Sequence, residues 1–107
     1  MSNNLIARFN IHAQSKLSAD QLTKLQEALY NAAIWASEDD PEVFFEEKSN
    51  VVGVSVIVED DRLSLIEAGA VLGQCQLAYE KCGENFGPTW LSLHAADESV
   101  IDSPYTP

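Results

Sequence analysis

The best candidates for acid–base chemistry near neutral pH are two histidines, His12 and His94, the only ones in this chain of 107 residues. Both stand in stretches where apolar and polar residues alternate, and by parity both share a side with Arg8, Asn10, Trp90 and Ser92. If the two stretches are neighbouring strands, the imidazoles come close together. One of them acting as general base is then the catalytic reading of the cluster. The plainer reading is two polar side chains on an exposed sheet, because no carboxylate is spaced to orient either ring.

Other catalytic patterns are missing. The five glycines, at positions 53, 69, 73, 83 and 87, are too scattered to cradle a phosphate, and no serine sits in a nucleophile-elbow pattern. Cys75 and Cys82 form neither a paired-cysteine redox motif nor half of a zinc site. Seven residues apart on a helix, they are separated by about 10 Å of rise, beyond the roughly 7 Å reach of a disulfide. Neither a cofactor nor a metal is expected.

What the chain has in excess is carboxylate. Seventeen Asp and Glu against six Lys and Arg give a net charge of −11. The excess is lopsided: residues 1–36 hold three bases and two acids, whereas residues 37–107 hold fifteen acids against Lys48, Arg62 and Lys81. Such a surface repels phosphate backbones and anionic headgroups. It argues against direct contact with nucleic acid or membrane and for a basic protein partner. No stretch is apolar enough to span a bilayer, and residues 1–4 carry neither the basic cluster nor the apolar run of a secretory leader. The expectation is a cytoplasmic protein.

Residues 5–13 read as a half-buried strand with Leu5, Ala7, Phe9, Ile11 and Ala13 inward. Ser18 and Gln21 form a capping box stapled by Leu17 and Leu22. Leu22, Leu25, Leu29, Ala32 and Ala36 then recur at helical spacing until Pro41 forbids more helix. Residues 43–48 and 51–59 read as a hairpin turning near Lys48-Ser49-Asn50, with Val52, Val54, Val56 and Val58 inward. Asp60 or Asp61 caps a second helix running to about Cys82, where Lys81 suits the C-terminal dipole and Gly83 a left-handed cap. Its stripe is Leu65, Ala68, Leu72, Cys75 and Tyr79, with Ile66, Ala70 and Leu77 beside it; Gly69 and Gly73 leave room for close packing on the first helix or the sheet. A last strand covers residues 90–95. Residues 1–95 thus make one α+β domain, and residues 96–107 an acidic tail expected to be mobile.

The order βαββαβ folds most simply as a ferredoxin-like domain, two helices on one face of a four-stranded antiparallel sheet. That topology gathers three junctions at one end: Glu38, Asp39, Asp40 and Glu42; then Glu59, Asp60 and Asp61; then Asp97 and Glu98. Asp60 and Asp61 suit a helix N-terminus. Glu38, Asp39 and Asp40 crowd a C-terminus, where the dipole disfavours each by roughly 0.3–1 kcal/mol. A local rule broken without visible compensation marks a candidate partner-binding site.

The function expected from these features is a non-enzymatic acidic binding protein that inhibits a basic nucleic-acid-handling partner. It would act as a nucleic-acid mimic, in the manner of a phage anti-defence protein or a toxin immunity protein. One alternative is a homodimeric regulatory or small-ligand-binding domain joined through the open sheet face, where Ile6, Arg8, His12, Ile57, Trp90 and His94 line up. A second is a small enzyme using His12 and His94. The same carboxylates also allow a surface kept acidic for solubility, or a Ca²⁺ or Mg²⁺ site without EF-hand spacing.

Overall fold

The structure, a computed structural model, describes residues 4–36, 40–83, 85–95 and 100–102. The elements are β1 (Asn4–His12), α1 (Ala19–Ala36), β2 (Glu42–Glu46), β3 (Val51–Glu59), α2 (Arg62–Lys81), β4 (Thr89–His94) and β5 (Val100–Asp102). The strands lie in one sheet in the order β2-β3-β1-β4-β5, every neighbouring pair antiparallel. This is the expected ferredoxin-like βαββαβ arrangement with a fifth strand added at the β4 edge. The addition corrects the reading of residues 96–107 as a tail throughout. A strand of three residues is too short for alternation to show, and a register shift at Leu93/His94 accompanies its pairing.

Both helix starts form as their sequences dictate. The Ser18 amide donates to Gln21 Oε1 at 2.9 Å and the Gln21 amide to Ser18 Oγ at 3.1 Å, so each side chain satisfies one amide at the start of α1. At α2 the cap is Asp61, whose carboxylate accepts from the Ser64 amide and hydroxyl, both at 2.9 Å. Those bonds, the backbone one first, hold its carboxyl below the ordinary value of 3.8. At the other end of α2, Gly83 takes a φ of 76°, a left-handed conformation that spares a side chain.

The core lies between the helices and one face of the sheet. Leu5, Ala7, Phe9 and Ile11 of β1 and Val52, Val54, Val56 and Val58 of β3 meet Leu25, Leu29 and Ala33 of α1 and Ala68, Val71, Leu72, Cys75 and Tyr79 of α2. Alternation found the strand residues because period two is strict in a strand. The second helix is read less well. Ile66, Ala70 and Leu77, expected beside the core stripe, are exposed, and Val71 is buried in their stead. Gly69 and Gly73, expected at a close contact, face open space: a Cβ on either would have nothing within 4 Å.

One end of the sheet is tied together by hydrogen bonds between loops. His12, Ala13 and Gln14 donate their amides to the carbonyls of Pro88, Asn50 and Phe86, each at 2.9 Å. Asn50, left-handed at φ 57°, donates its side-chain amide back to Ala13 O at 2.8 Å and Ser15 O at 2.9 Å. The β1–α1, β2–β3 and α2–β4 loops are thereby fastened to one another.

Candidate functional site

The opposite end is where the carboxylates were expected to gather. Strand directions do bring the α1–β2 junction, the β3–α2 junction and the exit of β4 to a single end of the sheet. Asp40, Glu42, Glu59, Asp60 and Asp61 are all exposed there. Glu38, Asp39, Asp97 and Glu98 lie outside the described residues. Glu42 sits further in than the others: it pairs with Ser55, four residues before Glu59, or roughly 13 Å along the strand. Asp61 is occupied as the α2 cap. Between described residues the one ion pair is Arg8 Nη1 to Glu46 Oε1, at 3.8 Å on the open sheet face, so it offsets none of these junction carboxylates. Among the described residues no group of His, Cys, Asp and Glu is arranged to hold a metal ion.

The second candidate is that open face. Register places Ile6, Arg8, Asn10 and His12 of β1 beside Ile57, Ser55, Gly53 and Val51 of β3 on one side, and beside His94, Ser92 and Trp90 of β4 on the other. All six residues expected at a sheet-face interface therefore do share a face. Most are not a uniform apolar surface, though; they frame a shallow hollow of about 470 Å³ lined by Arg8, Asn10, His12, Glu46, Trp90 and His94 among others.

His12 and His94 are not close neighbours. His94 pairs with Ile6, six residues from His12, so the two backbones stand roughly 20 Å apart at opposite ends of the hollow. Parity gave the shared side correctly, but proximity along the strand depends on register, which alternation does not supply. His94 instead pairs with Ser92, whose Oγ lies 2.6 Å from its Nε2. Asn10 Nδ2 donates to the same hydroxyl at 3.0 Å and to Trp90 O at 3.2 Å. Asn10, Ser92 and His94 are all buried, at 4%, 8% and 7% exposure. The Ser92 hydroxyl is held by both partners at the floor of the hollow, which Ser92 and His94 help to line. The chain Asn10–Ser92–His94 ties β1 to β4 along the floor of the hollow. The sequence reading named these residues as sharing a face but missed that they bond; the signal was polar residues at every second position of Trp90-Leu-Ser-Leu-His94.

On the β2 side, the Arg8 guanidinium lies 5.0 Å from the centre of the Phe44 ring, a cation–π distance. Phe44 in turn lies over Gly53, its register partner. A Cβ at Gly53 would collide with the Phe9 carbonyl oxygen and come within 2.8 Å of the Phe44 ring, so only glycine lets that ring lie down. The edge of the hollow is thus a fixed stack of Gly53, Phe44 and Arg8, with Glu46 against the guanidinium.

No helix among the described residues is long and apolar enough to cross a membrane. No family model, curated protein or solved structure matches this chain.

Proposed function

We propose that the protein is a non-catalytic acidic binding protein that docks its carboxylate-rich end into the cationic groove of a basic, nucleic-acid-handling partner and so blocks that groove. What supports this reading is the exposure of Asp40, Glu42, Glu59 and Asp60 at one end of a chain of net charge −11, with no ion pair to any of them among the described residues. Carboxylates left without cations of their own are available to replace phosphates, and their field speeds encounter with a basic protein. Inhibition of a nucleic-acid-handling protein, and mimicry of nucleic acid as the means, are part of this proposal.

The test is competition. Proteins captured from a host lysate on the immobilised chain should be released by duplex DNA, and binding should fall steeply with added salt. Reversing Asp40, Glu59 and Asp60 to Lys should weaken capture far more than reversing Asp20, Glu27 and Glu47, which changes net charge equally. Equal losses from the two triple variants, or capture that duplex DNA leaves untouched, would remove the proposal.

A further inference from the structure

α2 is apolar on two opposite sides, and the second has no partner within one copy. Ala68, Val71, Leu72, Cys75 and Tyr79 face the core. Leu63, Ile66, Ala70, Gly73 and Leu77 are exposed, with Leu63 at 74%, Ile66 at 59% and Leu77 at 48%. At 3.6 residues per turn these five fall within about 80° of arc, on the far side of the helix from the buried set. Their spacing alternates three and four, the repeat of a helix that pairs with another helix. Single exposed apolar residues are ordinary on a protein surface; five aligned along one helix are not scattered.

The glycines give a second observation. Gly73 stands within the stripe and Gly69 at its margin, each in mid-helix, where glycine is roughly 0.5–1 kcal/mol worse than alanine. A Cβ on either would meet nothing within 4 Å, so neither is explained by packing inside one molecule. Small residues at the middle of a stripe, with Leu63 and Ile66 before them and Leu77 after, allow another backbone to approach closely.

Charge selects the occupant. The chain carries −11, yet α2 holds Arg62 and Lys81 against Glu67 and Glu80 and is neutral. Here two copies can meet without the repulsion they would feel at the carboxylate-rich end, while a cationic partner finds no excess of carboxylate to grip. We propose that this face pairs antiparallel with α2 of a second copy of the chain. Layering Ala70 on Gly73 of the second copy brings Ile66 onto Leu77 and Arg62 beside Glu80 on the same flank of the stripe. Two-fold symmetry makes each pair twice. A parallel pairing would set Arg62 level with Arg62 and Glu80 level with Glu80, so the charges choose the antiparallel one. The inference stands apart from the proposed function, because α2's outer side is neither the acidic end nor the open sheet face.

Sedimentation equilibrium over a concentration series tests it. The 11.7 kDa chain should approach twice that mass as concentration rises. Leu63→Glu with Leu77→Glu should hold it at the monomer mass with an unchanged circular dichroism spectrum, both residues being exposed. Arg62→Glu or Glu80→Arg alone should weaken dimerisation about tenfold, through two symmetry-related pairs, and the double exchange should restore it. Ile57→Asp, on the open sheet, should leave the mass unchanged. A monomer at every concentration overturns the proposal. So does a dimer that survives the Leu63/Leu77 change and dissolves with Ile57→Asp, or a double exchange that restores nothing.

Discussion

Tyr79 holds the α2–β4 loop by its phenol: Oη accepts the Phe86 amide proton at 2.8 Å, and the two rings lie 6.3 Å apart. The same oxygen accepts from the Gly87 amide at 3.1 Å and donates within reach of Gly87 O at 3.0 Å. Tyr79 is otherwise a core residue at 5% exposure, so one side chain joins the helix interior to the loop that enters β4. Tyr79→Phe keeps the packing and removes the acceptor. Leaving partly buried amides unsatisfied is expected to destabilise the fold by about 1–3 kcal/mol, read as a lower urea midpoint at constant slope.

Asn50 should separate two effects at one position. Asn50→Ala removes the bonds to Ala13 O and Ser15 O and puts a β-carbon without a compensating polar group at φ 57°. The bonds account for about 1 kcal/mol each and the left-handed backbone for about 1 more. Asn50→Gly loses the bonds but relieves the backbone. Urea unfolding should therefore rank the wild type above Asn50→Gly and Asn50→Gly above Asn50→Ala; equal losses would show that the backbone conformation carries no weight.

Cys75 makes stability depend on alkaline pH. Burial pushes its thiol from 9.0 up to about 11, so the thiolate forms more readily in the unfolded chain. With the folded value raised, the contribution is fully present below pH 9.0 and is lost as pH rises through about 11. The stability gap between wild type and Cys75→Ala should narrow across that window, the other titrating groups cancelling in the comparison. Below it, a thiol reagent should label the half-buried Cys82 well before Cys75. A gap that stays constant to pH 11 would contradict this account.

The sequence was most informative where chemistry is local. The Ser18–Gln21 box, the Asp61 cap, the turn at Asn50 and Gly83 after α2 all rest on one residue type meeting one backbone need, and all are in place. The strand faces followed because parity along β1 and β3 is strict. What could not be read depends on relations between segments. The separation of His12 from His94 is a matter of register, and the bonding of Asn10 to Ser92 spans 82 positions. β5 is too short to carry a pattern, and α2 misled because it has two apolar stripes, of which only the packing reveals the inner one. For the acidic end, topology could be argued from element order alone. Whether cations neutralised it could not, since ion pairing is decided by which surfaces meet.

The first strand of the chain lies in the middle of the sheet, and that has a consequence for how the protein is made. β1 pairs with β3 across Asn4↔Glu59 to His12↔Val51, and with β4 across Ile6↔His94. During synthesis its apolar side, with Phe9 and Ile11, must wait for some forty residues before the first partner emerges and for about eighty before the second. Closure of such distant pairings is slow relative to local helix formation, and an unpaired central strand is the segment most exposed to misassociation meanwhile. A nascent chain ending before Thr89 would hold β1 with one edge open, so the sheet closes around its central strand only once residues 89–94 have left the ribosome.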